Sequence, residues 1–346
     1  MERTKPLTIA GLLIGAAALI VIVIVVVRVF LLHAAYSPSP ATANETTTEF
    51  DDEAALKAAE RIDAAMIGYH EVGSFSVGLR EPRALAVDSH AQIYVGGDRI
   101  VAGYSSDGKN LAEYALQGEP RCLAIGALDT AKPASLYVGM QEHVEVFDSR
   151  GTRTAVWGSR GAEAFFTSIT TTEREVWVAD AGNRLVWRFD ATGKLLQPVG
   201  KPDASQNRPE FFVTSHYFDV AAGIDDLVYV VNPRLMRVES YTRNGDYEAA
   251  WGKGSPAVAD FFGCCNPAHL AILPDGRFVT GEKGIPRVKI YSRDGRFETV
   301  VAGPSQLTDT PADLATDRLG RVLVLDGRAA KVRVFEKNSA DRGTKQ

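Results

Sequence analysis

The residue types most able to do chemistry are concentrated in one stretch, residues 261–269. It reads Phe-Phe-Gly-Cys-Cys-Asn-Pro-Ala-His, so two of the three cysteines in the chain are neighbours and a histidine follows closely. Thiolate sulfur and imidazole nitrogen suit zinc or copper, and a thiol can also exchange with disulfides. We therefore take Cys264, Cys265 and His269 as candidate functional residues.

Several interpretations of this stretch stay open. Cys264 and Cys265 can form a disulfide between neighbours, or they can be two small buried side chains, since unpaired cysteine is often buried. They can also bind a metal ion with His269 or carry out redox chemistry, although their spacing from His269 is not that of a zinc knuckle. His269 alone is also typical of a hydrogen-bonded channel residue. The odd cysteine count in a chain that we predict is exported indicates a free thiol or a cross-link.

A repeat of short apolar strands indicates how these residues are positioned. Strand endings of the type Ile-Tyr-Val recur at intervals of 40 to 52 residues, at residues 93–95, 136–138, 176–178, 228–230, 277–279 and 322–324. A second strand that closes on an aromatic residue and a turn follows each of them. Six units of about four short strands are the sequence signature of a propeller. We therefore predict an all-β, six-bladed β-propeller over residues 67–337.

Two of the units resemble blades of the NHL-repeat family of β-propellers. The third unit contains Ala-Asp-Ala-Gly-Asn-Arg at residues 179–184, and the fifth combines Pro267 with Asp-Gly at residues 275–276 and a strand ending in Tyr291. The resemblance covers roughly residues 68–336 and implies the propeller fold. It does not imply one activity, because a single scaffold hosts many functions.

Other relatives of this fold, the peptidyl-α-hydroxyglycine amidating lyases, hold metals in the channel with several histidines. That similarity raises the possibility of a lyase or hydrolase. Here only His269 and, with less support, His216 are expected near the channel, so the lyase metal site does not transfer as a set.

The two ends of the repeat region complement each other. Residues 67–73 match the fourth strand of a unit, whereas the last unit passes after Phe335 into a polar tail, residues 338–346, without a fourth strand. An N-terminal strand that completes the sixth blade would remove an exposed sheet edge. We therefore expect such a strand to close the ring.

Equivalent positions at the blade entries predict which residues meet at the axis. Alignment on the apolar pair that opens each innermost strand matches Ala84, Cys122, Ser168, Tyr217, His269 and Asp313. Because innermost strands surround the channel, these side chains should form one ring. This adds Cys122 to the candidate metal ligands, which are Cys122, Cys264, Cys265 and His269. Zinc, copper and iron are the possible ions, and no cofactor is certain.

The N-terminal region predicts a membrane anchor. Residues 7–27 carry no charge and, after Arg28, residues 29–32 continue the apolar run, which is long enough to span a bilayer. We predict a transmembrane helix over residues 7–32, with residues 1–6 in the cytoplasm because Arg3 and Lys5 precede the span. The propeller then faces the periplasm or the cell exterior. A cleaved signal peptide is the alternative, although its apolar region is usually only about 7–15 residues long.

The composition of the remaining regions indicates a linker and a short helix, and the net charge limits the classes of partner. Residues 33–50 are rich in Pro, Ser and Thr and predict a flexible linker, and residues 51–66 place apolar side chains at helical spacing, which predicts a short helix. The formal net charge is −5, without a cluster of Lys and Arg. The sequence therefore argues against a nucleic-acid partner.

No complete catalytic constellation is present, and three functions remain as hypotheses. The leading hypothesis is a membrane-anchored scaffold or protein-binding subunit of a membrane complex, with Phe261, Phe262, Cys264, Cys265 and His269 contacting the partner. The alternative is a metal-dependent or redox enzyme, or an electron-transfer accessory subunit, with its site at the channel mouth. The third is a structural brace within a larger membrane complex.

Overall fold

The computed structural model describes residues 56–57, 59–128, 133–202 and 210–339. The predicted cytoplasmic segment 1–6, transmembrane helix 7–32 and linker 33–50 lie outside these residues, as do parts of the predicted helix 51–66 and of the tail 338–346. Within the described residues there is no helix with the length and apolar character needed to cross a membrane. Residues 56–57 and 59–60 are helical, and a 3₁₀ helix follows at Ala64–Met66.

The described part of the chain folds into 23 strands arranged in six antiparallel sheets. The first strand is β1 (Tyr69–Ser76). Blade 1 contains β2 (Pro82–Val87), β3 (Ile93–Gly97), β4 (Ile100–Tyr104) and β5 (Asn110–Ala115). Blade 2 contains β6 (Cys122–Gly126), β7 (Ser135–Gly139), β8 (Val144–Phe147) and β9 (Arg153–Trp157). Blade 3 contains β10 (Phe166–Thr171), β11 (Glu175–Asp180) and β12 (Leu185–Asp190).

The second half of the ring continues the same order. Blade 4 contains β13 (Val220–Ala222), β14 (Leu227–Asn232), β15 (Arg237–Thr242) and β16 (Tyr247–Trp251). Blade 5 contains β17 (His269–Ile272), β18 (Phe278–Glu282), β19 (Arg287–Tyr291) and β20 (Phe297–Ala302). Blade 6 contains β21 (Asp313–Thr316), β22 (Val322–Asp326) and β23 (Lys331–Lys337).

The first strand of each blade is the innermost one. β2 contacts β6, and the contacts continue from β6 to β10, β13, β17 and β21, which returns to β2. The six blades therefore close into a ring around a central channel, and the predicted six-bladed propeller is confirmed.

An N-terminal strand closes the last blade. β1 pairs antiparallel with β23, from Tyr69 opposite Lys337 to Ser76 opposite Lys331, so blade 6 has the order β1-β23-β22-β21. The closing strand expected from the sequence is confirmed, although it begins at Tyr69 rather than at residue 67. Its pairing covers an edge of β23 that would otherwise be open to another chain.

Blade 3 departs from the four-strand pattern. Beyond β12, Leu195 and Val199 make only isolated bridges, to Phe189 and Val186. Pro198 lies between them and has no backbone N–H to donate to a ladder. The fourth strand expected from the repeat is therefore reduced to two isolated bridges.

Aromatic side chains fill the space between neighbouring blades. Trp251 at the end of β16 in blade 4 packs against Tyr291 and Phe278 of blade 5, with ring centroids 4.9 Å apart in both cases. Gly295 turns the chain beside Trp251 with φ +76°, and a Cβ there would lie 2.4 Å from the indole. The repeated turn glycine is thus required here by both its backbone conformation and its contact with the adjacent blade.

A buried ionic cluster ties blade 5 to its surroundings. The Glu282 carboxylate pairs with both Arg287 and Lys289, and all three side chains are fully buried. Arg287 donates a hydrogen bond to the carbonyl of Ala59, and Lys289 donates to the carbonyl of Asp260 at 2.7 Å. Burial lowers the pKa of Lys289 to about 8, against the opposing effect of Glu282. The one carboxylate therefore compensates two buried cations.

We predict that Glu282→Gln destabilises the fold by about 3–5 kcal/mol, because two buried cations lose their counter-charge. Urea unfolding of the full-length chain measures the change. The matched control is Glu298→Gln, which breaks a partly exposed pair with Arg277 and should cost below about 1 kcal/mol. Equal losses in the two variants would contradict the importance of the buried cluster.

Candidate functional site

Three potential metal ligands meet in the central channel. Asp219 directly precedes β13, His269 begins β17 and Asp313 begins β21. One ligand atom from each of these residues lies within 4.8 Å of the other two. Asp219 and Asp313 also line a cavity of about 210 Å³ at the axis. The fold thus gathers residues from blades 4, 5 and 6 that are far apart in the sequence.

The Asp219 carboxylate joins three blades. Oδ1 accepts hydrogen bonds from the Ser168 hydroxyl of blade 3 and from the N–H of Val220 at 2.7 Å. Oδ2 accepts from the N–H of Leu270 in blade 5 at 2.9 Å. These bonds fix the orientation of the carboxylate toward the channel.

The Asp313 carboxylate joins the two ends of the ring. Oδ2 accepts from the N–H of Leu85 in blade 1 at 2.7 Å, and Oδ1 accepts from the N–H of Leu314 at 2.8 Å. Burial, opposed by nearby His269 and assisted by the negative charge of Asp219, raises the pKa of Asp313 to about 7.

His269 lies between these two acids. Its Nδ1 is 3.5 Å from Asp219 Oδ2, and its side chain is 13 % exposed. Burial lowers the pKa of His269, but Asp219 and then Asp313 more than offset this, so the pKa lies above its ordinary value. The backbone carbonyl of Pro311 also accepts a hydrogen bond from the imidazole and raises this pKa.

A wider cavity of about 640 Å³ covers one end of the channel, and we call it the mouth. Its lining includes Arg83, Arg121, Phe165, His216, Tyr217 and His269. The Arg121 guanidinium lies 3.9 Å above the Phe165 ring, which stacks on His216 at 3.9 Å. Burial lowers the pKa of Arg121, and its Nε is buried without a hydrogen-bond partner in the described chain. The mouth therefore combines cationic side chains with two carboxylates deeper in the channel.

The adjacent cysteines lie at a separate position, beside the mouth. Cys264 is exposed and Cys265 is buried, and both are free thiols. Their sulfur atoms are 2.9 Å apart, and Cys265 Sγ lies 2.9 Å from the hydroxyl of Thr214, which lines the mouth. Neither cysteine belongs to the group formed by Asp219, His269 and Asp313.

Cys122 lies closer to the axis. It begins β6 and lines the smaller cavity with Asp219 and Asp313. Burial raises the pKa of Cys122 well above its ordinary value, and the two carboxylates raise it further. Of the four predicted metal ligands, His269 is the one that the described structure groups with two further potential ligands.

The two phenylalanines of the predicted partner-binding stretch differ in exposure. Phe261 is buried and packs against Trp251 and Tyr291 in the blade interface. Phe262 is partly exposed. A partner at this surface would therefore contact Phe262 and Cys264, whereas Phe261 supports the loop from below.

The predicted ring of channel residues needs one correction. Ala84, Cys122, Ser168, His269 and Asp313 do lie in the innermost strands, but Tyr217 precedes β13, and Asp219 occupies its expected place. Phe218 is apolar and buried, so the sequence alignment took it for the first apolar residue of the innermost strand. The parallel between Asp-Val-Ala at residues 219–221 and Asp-Leu-Ala at residues 313–315 is the signal that identifies Asp219.

Comparisons with known proteins support the propeller fold, but they do not assign the chain to a family. No family model and no curated protein matches the sequence, so the NHL resemblance stays a prediction. A streptogramin B lyase structure is similar with a TM-score of 0.52 at 12% identity, covering 80% of this chain and 100% of that one. Virginiamycin B lyase from Staphylococcus aureus gives 0.54 at 13%, covering 79% and 89%. A Bacteroides thetaiotaomicron protein of unknown function gives 0.54 at 16%, covering 79% and 74%.

We predict opposite effects of two substitutions on the pKa of Asp313 in metal-free protein. His269→Gln should raise this pKa, because the imidazolium that favours the carboxylate is lost. Asp219→Asn should lower it, because a like charge is removed. NMR titration of the aspartate carboxyl carbons measures both, with Asp88→Asn as a remote control. Shifts of the same sign would contradict the described geometry.

Proposed function

We propose that the channel site binds a divalent metal ion and that the protein is a metal-dependent enzyme for a small anionic molecule, of the hydrolase or lyase class. The observation that carries this proposal is the convergence of Asp219, His269 and Asp313. Of the sequence-based hypotheses, this proposal is closest to the enzyme with a metal site at the channel mouth. The two aspartates replace the cysteines as the proposed ligands.

The donor set suits a catalytic ion. Two carboxylates and one imidazole make three protein ligands, and catalytic zinc sites keep three protein ligands and an open position. Zinc is therefore the first candidate, and iron accepts similar oxygen and nitrogen donors. Held by these three residues, a divalent ion would supply Lewis acidity. The backbone N–H groups of Leu85 and Leu270 hold the carboxylates in place.

The mouth supports the substrate class. Its volume of about 640 Å³ lies in the range of small-molecule sites. Arg121 has an unpartnered buried Nε there, and Arg83, which pairs with Glu81, lines the same cavity. A carboxylate or phosphate group fits guanidinium donors of this kind. The similar structures include lyases, which supports the proposal only at the level of a shared fold.

We predict that the full-length chain, once stripped by a chelator, binds about one zinc ion per molecule. His269→Gln and Asp313→Asn should each weaken binding by about 10–100-fold or more, since loss of a direct ligand should cost no less than loss of an outer-shell partner. Isothermal calorimetry and elemental analysis measure affinity and stoichiometry. The control is His90→Gln, an exposed histidine in a turn of blade 1. Absence of bound metal, or equal affinity in all variants, would exclude the proposal.

A protein-binding role is a second candidate, and an exposed apolar pair favours it. Phe212 and Leu235 are 46% and 39% exposed, and the N–H of Arg234 donates to the carbonyl of Phe212. This bond places Phe212 and Leu235 on neighbouring segments of the chain, and contiguous exposed apolar surface is typical of contact sites. Thr214 of the mouth follows closely in the chain. The proposed partner is another subunit of a membrane complex, as in the leading sequence-based hypothesis, but the contact surface differs from the stretch at residues 261–269.

This second candidate depends on the proposed cellular location. We propose that residues 7–32 anchor the chain in a membrane, with the propeller on the periplasmic or outer side. The apolar run and the positive residues before it support this orientation. A scaffold or brace in a membrane complex would need such a position.

We predict that the full-length chain stays in the membrane after alkaline carbonate washing and co-purifies with membrane subunits in mild detergent. Replacing Phe212 and Leu235 with Ser should abolish co-purification without releasing the chain from the membrane. Leu319→Ser, at an exposed position of blade 6, is the matched control. If the double variant co-purifies with the same subunits, Phe212 and Leu235 do not form the contact surface. If carbonate extracts the chain, residues 7–32 do not anchor it.

A further inference from the structure

Two neighbouring thiols are held together at the edge of the mouth. Cys264 and Cys265 are both unpaired, with their sulfur atoms 2.9 Å apart. Cys264 is exposed to solvent, whereas Cys265 is buried. A reagent can therefore reach one thiol directly and the second thiol only through the first.

The loop that carries these thiols is held in one conformation by buried contacts. The Asn266 side chain is fully buried, donates to the carbonyls of Phe262 and Lys283, and accepts from the N–H of Lys283 at 2.9 Å. Cys265 itself adopts φ +65°, which costs energy for a residue other than glycine. Strain of this kind persists only where the surroundings enforce it, and it is concentrated at functional sites.

The surroundings of Cys265 favour its thiolate. Burial raises the pKa of Cys265, but hydrogen bonds from Cys264 and Thr214 and the positive charge of Lys283 outweigh this, so the pKa lies below its ordinary value. The pKa of Cys264 lies above its ordinary value, first because of its hydrogen bond to Cys265. With Cys265 as the thiolate, the Cys264 thiol would donate the hydrogen bond between the two sulfur atoms.

We propose that Cys264 and Cys265 form a thiol–disulfide exchange site whose substrates are disulfides, small or on a protein, and whose oxidised form is a disulfide between the two neighbours. The proposal rests on the contact between the two sulfur atoms, their unequal exposure and the enforced loop. It is independent of the metal proposed for the channel.

The exchange proceeds in two balanced steps. Cys264 Sγ passes its proton to Cys265 Sγ and attacks the substrate disulfide, whose sulfur–sulfur bond breaks and releases one thiolate. Cys265 then gives up its proton to the released thiolate and attacks Cys264 Sγ, which expels the second half as a thiolate. In total the substrate disulfide is reduced to one thiol and one thiolate, which takes a proton from water, and the two cysteines are oxidised to one disulfide.

Cys122 provides an internal comparison. It is buried at the channel and its pKa is raised well above the ordinary value, first by burial. A buried protonated thiol is a poor nucleophile. Reaction with a disulfide should therefore be confined to the neighbouring pair.

In the test, the full-length chain reacts with oxidised glutathione, which serves as the substrate disulfide. After oxidation, alkylation and trypsin digestion, the peptide of residues 254–277 carries both Cys264 and Cys265, and the peptide of residues 122–150 carries Cys122. We expect the first peptide to lose two hydrogen atoms and to resist alkylation. The second should be fully alkylated once the chain is denatured.

Variants separate exchange from simple oxidation. Cys265→Ser should stop at a stable mixed disulfide between Cys264 and glutathione, because the resolving thiol is missing. Cys264→Ser should leave Cys265 reduced, and Cys122→Ser should react like the unmodified chain. The proposal is overturned if glutathione leaves both thiols of peptide 254–277 free, or if the disulfide formed includes Cys122 or a second copy of the chain.

Discussion

The carboxylates of Asp219 and Asp313 close seams between neighbouring blades at the axis of the propeller. Asp313 accepts the N–H of Leu85 and so joins blade 6 to blade 1, and Asp219 accepts the N–H of Leu270 and joins blade 4 to blade 5. A buried N–H without a partner is costly, so these acceptors stabilise the meeting of the innermost strands. The pairing of β1 with β23 completes the same closure at the periphery.

The same closure creates the chemistry at the channel. Acids that accept backbone hydrogen bonds are held near each other and away from water, which raises the pKa of Asp313 to about 7, first through burial. His269 lies between them, so carboxylate oxygen and imidazole nitrogen share one small volume. Cationic Arg121 lies in the mouth above them. The carboxylates that accept the hydrogen bonds between blades are thus also the proposed metal ligands.

Much of this architecture could be predicted from the sequence, because the blade repeat places apolar strands and turn glycines at regular intervals. The closing strand and the channel positions of His269 and Asp313 followed from the same repeat. Asp219 was missed because buried Phe218 shifted the alignment of blade 4. The stack of Arg121, Phe165 and His216 joins residues with no pattern in common, so only the folded chain shows it.

The central claim is that radial packing of the blades brings three ligands from different blades to one point, while the thiol pair stays outside that point. Anomalous X-ray scattering at the zinc edge, from crystals of the chain grown with zinc, tests this most directly. The account predicts one strong peak bounded by Asp219, His269 and Asp313. A peak at Cys264 and Cys265 instead, or none in the channel, would contradict it.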